Sequence, residues 1–401
     1  MSESSRRWRQ LALLATAELL AMSVWFAGTA VAPALRTRLS LSGSESAWLT
    51  STVQLGFVVG TLVAALLNLP DILPLRWYVA GSAVLAALAN AMLIPADSFA
   101  AAIASRAVTG MALAGVYPPA MKMAATWFRA ERGLAIGAIV GALTIGKAMP
   151  YLLEGGGHLP VVAVVAVPSL AALVAAAMIA LWFRDGPHAF PARPFSWGLL
   201  GSVVRDPLLR RVTGGYLGHM WELYAFWTWI PIFLAASLAA RRAGYGPGVW
   251  PFACVAIGAV GCLWGGRAAD RIGRGPVVRT SLVVSGACCA LSALAFGGPS
   301  WLLLGICVVW GIAVVADSAQ FSALVTEHAP PHAVGTALTF QTSLGFLLTV
   351  ASIQLVPIIA AAATWRWAMV VLTLGPVAGL WSVRAIGRGV GREASSPSSR
   401  A

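Results

Sequence analysis

Six ionisable residues interrupt long apolar runs of this sequence. They are Glu18, Arg106, Lys147, His219, Glu222 and Asp317. A charge inside an apolar run long enough to cross a bilayer is costly, so such residues are rare and mark functional sites by default. The two cations indicate anion binding, and the carboxyl groups and the histidine indicate proton exchange.

Arg106 and Lys147 are the candidates for holding a small anion. An arginine binds an anion through paired hydrogen bonds, whereas a lysine acts as a point charge. Tyr117 shares a face with Arg106 by helical spacing and joins them as a candidate substrate ligand. For Arg106 the alternative is an ion pair with Glu18 that only fixes helix packing. Lys147 has no carboxylate one helical turn away, which favours a role in binding or coupling.

Aromatic residues follow two of the buried carboxyl groups. Tyr224 and Trp229 follow Glu222, and Trp25 follows Glu18. Such rings either line a cavity or belong to the aromatic belts at the membrane interfaces. We predict that these three rings line the substrate cavity.

Glu222 and His219 are the candidates for moving a proton. They are three residues apart and share a helical face. Burial disfavours the charged form of a carboxyl group, so a carboxyl in an apolar cavity can bind and release a proton. His219 suits a relay, or alternatively is a packing histidine. We also assign proton coupling to Glu18 and to Asp317, which is expected to pair with Arg106 or Lys147 until substrate replaces it.

The composition is that of a membrane protein. The chain has 401 residues, of which 59% are hydrophobic and 10% are charged, whereas soluble proteins carry about 25% charged residues. The net charge of +13 does not indicate nucleic-acid binding. Its basic residues form short clusters between apolar runs, as in the cytoplasmic loops of membrane proteins.

Motifs of an enzyme, a metal site or an ATP-driven pump are not found in the sequence. It has no HExxH, GxSxG or Walker A pattern. The five cysteines lie inside apolar runs without metal-ligand spacing, so we interpret them as small packing residues. We therefore predict no enzymatic activity, no cofactor and no metal.

Membrane helices of about 20 apolar residues must position the candidate residues. Twelve are predicted, at 11–34, 47–69, 76–95, 98–120, 133–153, 159–183, 212–237, 249–267, 277–297, 300–324, 334–359 and 364–386. The first run is too long for the apolar core of a signal peptide, so we interpret it as a retained helix. The predicted units are an N-terminal six-helix bundle at 1–183, a cytoplasmic linker at 184–211, a C-terminal six-helix bundle at 212–387 and a disordered tail at 388–401.

Orientation follows from the distribution of Lys and Arg. With the N-terminus inside, most of the 27 basic residues fall in the inner segments, as the positive-inside rule requires. We therefore expect both termini in the cytoplasm. We place the chain in the plasma membrane of a bacterium, the inner membrane, and expect it to function as a monomer.

The two halves of the chain are related in sequence. The segment from Glu18 to Trp25 resembles that from Glu222 to Trp229, and Asp71 and Asp270 recur half a chain length apart. Two parallel six-helix halves are typical of transporters that bind substrate between the halves near the bilayer midplane. Rocking of the halves then exposes the site to one side at a time.

One loop identifies a family resemblance. The segment 266–274 reads Gly-Arg-Ala-Ala-Asp-Arg-Ile-Gly-Arg and resembles the loop signature of the major facilitator superfamily, as Arg106 with Gly110 resembles its helix-4 signature. The resemblance implies an all-α membrane protein of 12 transmembrane helices in two pseudo-symmetric bundles. It also implies a loop that latches the cytoplasmic side, with a solvated basic turn as the alternative. The implied gating residues are Gly266, Asp270, Arg271, Gly273, Arg274 and, in a degenerate first-half copy, Asp71.

A second stretch resembles one branch of that family. The residues from Gly115 to Lys122, with Trp127 and Phe128, are similar to the nitrate/nitrite porter and cyanate permease branch. The arginines that nitrate porters carry in helices 2 and 8 are missing here, which argues against nitrate itself.

Together these patterns predict a secondary active transporter that moves a small inorganic or organic anion with protons. The alternative is a proton-coupled exporter of hydrophobic or cationic compounds, which Glu18, Glu222, Asp317 and the aromatic rings would suit. Arg106 and Lys147 argue against this alternative. The internal repeat argues against a channel or a receptor.

Overall fold

The structure is a computed structural model that describes residues 3–128, 131–155, 159–188, 195–242, 248–330 and 332–384. Within these ranges it is helical, without strands, and twelve helices cross the membrane. The predicted disordered tail at 388–401 and positions 189–194 of the predicted linker lie outside the described residues.

Helices 1 to 6 form the first bundle. Their bounds are Glu3–Met22 with Ala27–Ala30 and Ala32–Leu39 for helix 1, Gly43–Leu66 for helix 2, Leu75–Ala91 for helix 3, Phe99–Leu113 with Tyr117–Ala125 for helix 4, Arg132–Gly155 for helix 5 and Val161–Trp182 for helix 6. Helix 2 begins at Gly43, because Ser42 and Glu45 form a reciprocal capping box there.

Helices 7 to 12 form the second bundle. Their bounds are Pro207–Ala240 for helix 7, Trp250–Ala256 with Gly258–Ile272 for helix 8, Arg274–Ala295 for helix 9, Ser300–Ala316 with Ser318–His328 for helix 10, Val334–Ala363 for helix 11 and Trp365–Val383 for helix 12. Helix 7 starts five residues before its predicted start at 212, because Asp206 caps it and Pro207 occupies its first position.

Ten of the twelve helices are long and apolar enough to span a membrane on those criteria alone. The other two are helix 1, which is interrupted, and helix 3, which has 17 residues. The prediction of a continuous first helix at 11–34 is wrong, since a turn at 23–26 divides it. Helix 4 is interrupted after Leu113, where Pro118 and Pro119 have no N–H to donate to a continuing helix.

The segment between the bundles contains a short helix, Trp197–Arg205. The backbone N–H of Ser196 donates to Thr336 Oγ1 at 2.9 Å and ties this segment to the start of helix 11. We call the end of the molecule that carries this segment the linker end. The loops between helices 2 and 3 and between helices 8 and 9 lie there too.

The two bundles contact each other along two helix pairs. Helices 5 and 8 pack through glycines, because a Cβ added at Gly137 would lie 2.9 Å from the carbonyl oxygen of Cys262. Helices 2 and 11 meet at Phe57 and Phe346, whose ring centroids are 4.4 Å apart. Small residues allow close backbone approach where no hydrophobic effect drives association.

Candidate functional site

A group of rings around one lysine lies where the two bundles meet. We call it the central site. It consists of Trp25, Phe26, Phe57, Lys147, Tyr151, Tyr224, Trp227 and Phe346. Helices 1, 2 and 5 of the first bundle and helices 7 and 11 of the second contribute these side chains. The location agrees with the expectation that transporters of two parallel halves bind substrate between them.

Lys147 is at the centre of this group and is 1% exposed. Its Nζ donates to the hydroxyl oxygen of Tyr224 at 2.5 Å and lies 3.6 Å from the ring centroid of Trp25. Among the described residues it forms no ion pair. Its positive charge is therefore balanced by a phenol oxygen and by ring faces, which are weaker partners than a carboxylate.

The rings contact one another across the boundary between the bundles. The Tyr224 ring centroid lies 5.7 Å from that of Trp25 and 5.1 Å from that of Phe346. The hydroxyl of Tyr151 donates to the carbonyl oxygen of Trp227 at 2.8 Å, which links helix 5 to helix 7. Any relative movement of the bundles must therefore rearrange the central site.

Arg106 is fully buried but belongs to a different group. Its Nε donates to the carbonyl oxygen of Leu49 at 3.3 Å, and its Nη1 donates to Asn90 Oδ1 at 2.9 Å and to the carbonyl oxygen of Val24. Its Nη2 donates to the carbonyl oxygen of Trp25. The arginine thus supplies donors to the interrupted turn of helix 1, and the alternative ion pair with Glu18 is not formed.

The surroundings of Arg106 are fitted to its side chain. A Cβ added at Gly28 would lie 2.7 Å from Arg106 Nε, so a larger residue would displace the guanidinium. Asn90 donates in turn to Ser169 Oγ at 2.9 Å and to the carbonyl oxygen of Val165. Because buried polar groups are costly unless paired, this network stabilises the packing of helices 1, 2, 3, 4 and 6.

Glu222 is buried in the second bundle among neutral donors. Its carboxyl oxygens lie 2.8 Å from Ser285 Oγ, 3.1 Å from Cys289 Sγ and 2.5 Å from Trp310 Nε1. No cation forms an ion pair with it among the described residues. Such a site can hold the carboxyl group in either protonation state without leaving a charged partner unpaired.

His219 and Asp317 lie next to each other. His219 Nδ1 is 2.8 Å from Asp317 Oδ1, and His219 Nε2 is 2.9 Å from Ser318 Oγ. The expected pairing of Asp317 with Arg106 or Lys147 is therefore wrong for this structure. Asp317 lies at the interruption of helix 10, in the second bundle, whereas both cations lie in the first.

Glu18 lines a small cavity inside the first bundle. Its neighbours there include Leu14, Val79, Ala83 and Val116, which are all apolar. Neither carboxyl oxygen of Glu18 has a hydrogen-bonding partner among the described residues. Leu19, next to Glu18, packs on Gly146, next to Lys147, and Glu18 forms no ion pair with Lys147.

Besides Arg106, two further predicted substrate ligands lie outside the central site. The indole N–H of Trp229 donates to the carbonyl oxygen of Ile353 at 2.9 Å, and its ring packs on Trp365. Trp229 was predicted to line the cavity as an aromatic residue near Glu222, but helix 11 and the start of helix 12 cover it. Tyr117 is half-buried at the interruption of helix 4.

The predicted latch loop joins the two bundles at the linker end. The Asp270 carboxylate of helix 8 lies against Gly133 at the start of helix 5, where a Cβ would be 2.7 Å from Asp270 Oδ1. Gly273 has a φ of 85°, which glycine adopts without strain. Arg274 Nε donates to Glu327 Oε1 at 2.7 Å, which ties the loop to the end of helix 10, while Arg271 is exposed.

The first-half copy of this loop makes a related contact. Asp71 pairs with Lys122 at the end of helix 4, and Lys122 also donates to the carbonyl oxygen of Pro70 at 2.8 Å. Helix 4 corresponds to helix 10 in the repeat. Each bundle therefore ties this loop to its fourth helix by an ion pair, with the signs of the charges exchanged.

Five ring residues of the central site and the polar partner of Arg106 were not selected from the sequence. They are Phe26, Phe57, Tyr151, Trp227, Phe346 and Asn90. The high aromatic content of helix 7 was a signal for Trp227 alone. No His, Cys, Asp or Glu cluster in the described part of the chain could hold a metal ion.

Comparisons with known proteins give a family and a fold. The profile of the Major Facilitator Superfamily matches residues 13–353. No curated protein matches the sequence.

Two solved structures are similar to this one over nearly their whole length. One is a bacterial homologue of the human lysosomal transporter Spinster, inward-facing and unoccupied, with a TM-score of 0.72, 14% identity, and coverage of 95% of this chain and 98% of that chain. The other is the nucleoside transporter NupG in a mutant form, with a TM-score of 0.72, 14% identity, and coverage of 94% and 100%. At this identity the likeness shows a shared fold only.

Proposed function

Since this chain belongs to the Major Facilitator Superfamily and is a membrane transporter, we propose that it moves a small anion together with protons by alternating access. The observation that carries the proposal is the buried, unpaired Lys147 between the two bundles. An uncompensated charge in a membrane interior is costly. A bound anion compensates that charge, so its binding is favoured.

Glu18 supports coupling of the anion to a proton. It lies within electrostatic range of Lys147, and its oxygens have no hydrogen-bonding partner in the described ranges. When Glu18 is ionised, its negative charge offsets the attraction of Lys147 for an anion. When Glu18 takes up a proton, that attraction increases, so anion and proton bind together and symport results.

Glu222 and the His219–Asp317 pair extend the proposal to the second bundle. Glu222 is held by neutral donors, and His219 Nδ1 lies 2.8 Å from a carboxylate oxygen of Asp317. We assign them to proton transfer on the side of the site away from Glu18. Arg106 is assigned to packing, because its donors bind carbonyl groups and Asn90.

The alternative, export of a hydrophobic or cationic compound, has one supporting observation. The rings of the central site would suit a cation bound over a ring face. The Lys147 ammonium already lies over the Trp25 ring, however, and would repel a second cation. The finer assignment to the nitrate/nitrite porter and cyanate permease branch stays an interpretation of the sequence.

Location and assembly are part of the proposal. The Lys and Arg distribution supports a cytoplasmic linker end with both termini inside, in the inner membrane of a bacterium. Both bundles that form the central site belong to one chain, so we propose that the protein functions as a monomer.

The test is the internal pH of proteoliposomes that carry a trapped dye. Nitrate, methanesulfonate and benzenesulfonate are added outside in turn, because anions of strong acids do not cross the bilayer as neutral acids. We expect at least one of them to acidify the interior of wild-type vesicles, and Lys147→Ala vesicles to match empty liposomes.

Absence of acidification with every anion would contradict the proposal. Proton efflux driven by a lipophilic cation such as tetraphenylphosphonium, retained in Lys147→Ala, would instead support the exporter.

A further inference from the structure

We infer that the central site takes a monovalent organic anion with a flat, apolar body, the class to which aromatic monocarboxylates belong. The inference rests on the proposed function and narrows its substrate class. Three features of the central site support it: a single available cation, two unpaired indole N–H donors, and surrounding ring faces.

The available charge limits the anion to one negative charge. Lys147 is the only buried cation in ring contact with the site among the described residues. Arg106 is near, at the carbonyl oxygen of Trp25, but it donates to four acceptors of helices 1, 2 and 3. A second negative charge on the substrate would be buried without a partner, which is strongly unfavourable.

The unpaired polar groups of the site are hydrogen-bond donors. Trp25 Nε1 and Trp227 Nε1 are both buried and have no partner in the part of the chain that the structure describes. An indole N–H can only donate. Because the Tyr224 hydroxyl accepts from Lys147, its own hydrogen is free to donate. These groups match the oxygen atoms of a carboxylate or sulfonate and do not match an ammonium group.

The remaining surface of the site consists of rings. Phe26, Phe57 and Phe346 contribute no polar side-chain atom, and Phe346 packs within 5.8 Å of Trp25 and 5.1 Å of Tyr224 between ring centroids. A small hydrated ion such as nitrate would lose water against these rings without gaining polar partners there. A flat apolar body would instead stack on them.

A carboxylate would replace weak contacts of Lys147 by strong ones. The ammonium now faces the Trp25 ring and the Tyr224 oxygen. Charge-assisted hydrogen bonds are about twice as strong as neutral ones. The head group of the ligand therefore takes the place beside Lys147, and its body takes a place among the rings when the bundles separate.

The test is equilibrium binding to the purified, full-length protein in detergent, by isothermal titration calorimetry. The ligands are benzoate, acetate, isophthalate and benzylammonium, which separate the effects of body, charge number and charge sign. We expect benzoate to bind at least about tenfold more tightly than acetate, because its ring adds buried apolar area. Isophthalate and benzylammonium should bind more weakly than benzoate.

Three variants assign the binding to this site. Lys147→Ala should abolish benzoate binding. Phe346→Leu should weaken benzoate but not acetate, whereas Trp227→Phe should weaken both by about fivefold through loss of one donor. Trp301→Phe is the matched control, since Trp301 is 75% exposed. Melting temperature and gel-filtration profile confirm folding of each variant.

Several results would overturn the inference. They are equal binding of acetate and benzoate, tighter binding of isophthalate or benzylammonium, no benzoate binding, and benzoate binding that survives Lys147→Ala. Failure of the proposed function is a separate result. Acidification by nitrate as strong as by benzenesulfonate would leave anion symport standing while the substrate class fails, and benzoate binding without any acidification would remove proton coupling alone.

Discussion

Arg106 and Lys147 are both fully buried cations of the first bundle, yet their partners differ in kind. Arg106 donates to three carbonyl oxygens and to the side chain of Asn90. Lys147 has one hydrogen bond, to a phenol, and ring faces. The first arrangement stabilises the fold, whereas the second leaves a charge available to a ligand.

This difference predicts opposite effects on stability. Arg106→Ala leaves buried acceptors without donors and should lower the free energy of unfolding by about 3 kcal/mol or more. Lys147→Met removes an unpaired buried charge at similar volume and should leave stability unchanged or raise it by about 1 kcal/mol, while transport is lost. Thermal unfolding in detergent measures both. A Lys147→Met protein that melts well below wild type would contradict the distinction.

Glu18 predicts how anion binding depends on pH. Protonation removes a negative charge that opposes the anion near Lys147, so wild-type binding should strengthen as the pH falls. Glu18→Gln resembles the protonated state, so the affinity of this variant for the anion should not change as the pH falls. Benzoate or nitrate titrations at several pH values provide the measurement, with Glu45→Gln, at the exposed start of helix 2, as control. An unchanged pH dependence in Glu18→Gln would assign the effect to another group.

At this scale the sequence identified the charged residues but not their partners. Because an ionisable residue in a membrane helix is energetically costly, the sequence alone identifies Lys147 and Glu222 as candidate functional residues. The sequence places Trp229 near Glu222 but does not show which helix covers it, so Trp229 was assigned to the cavity although helix 11 covers it. Phe57 and Phe346 cannot be distinguished from other apolar residues in the sequence, because their contact forms only when helices 2 and 11 pack together.

Among the helices, the interruption of helix 1 is the feature that positions the central site. The turn at 23–26 places the carbonyl oxygens of Val24 and Trp25 on Arg106 and the rings of Trp25 and Phe26 toward helices 5 and 7. No proline lies in this turn; its carbonyl oxygens at Val24 and Trp25 accept from Arg106, and Ser23 Oγ donates to the carbonyl oxygen of Leu20 at 2.6 Å. A pattern of apolar residues cannot reveal such a contact, whereas the number and order of the twelve helices followed directly from apolar runs.

Substitution of Gly28 tests whether Arg106 fixes the turn in helix 1. Gly28→Ala would place a Cβ against the Arg106 guanidinium and should lower the melting temperature and the transport rate together. Gly81→Ala is the matched control, because no atom lies within 4 Å of a Cβ there and alanine favours a helix. Thermal unfolding and vesicle uptake give the two readings. Equal melting temperatures for the two variants would show that Arg106 does not fix the turn.

For the whole molecule, the contacts between bundles decide which end is closed. At the linker end, Gly266 meets the backbone of Gly133, and Asp270 lies against the same residue. At the opposite end, Gln354 Nε2 donates to Ser51 Oγ at 3.1 Å. Both ends are therefore in contact in this structure, with the central site enclosed between them.

Gly266→Val should separate the bundles at the linker end, since its Cβ would lie 2.8 Å from the Gly133 carbonyl oxygen. Spin labels on cysteines at Ile72 and Ile272, exposed by 66% and 61% on corresponding loops, report that separation by electron–electron resonance. The native cysteines are buried. We expect a longer distance in Gly266→Val and an unchanged one in Gly305→Val, where the added Cβ meets open space. An unchanged distance in both would contradict a gating role for Gly266.

The glycines between helices 5 and 8 affect the turnover rate of transport. Gly133, Gly137 and Gly141 recur at every fourth position: Gly137 and Gly141 lie close to the backbone of helix 8, and Gly133 lies against the Asp270 carboxylate. Where side chains of two helices interdigitate, they must change rotamer before the helices can move past each other, and each change adds to the activation barrier. The glycine face of helix 5 has few side chains that must change rotamer. We therefore expect the turnover rate to depend mainly on breaking the ring contacts of the central site, such as that between Phe57 and Phe346, and less on the contact between helices 5 and 8.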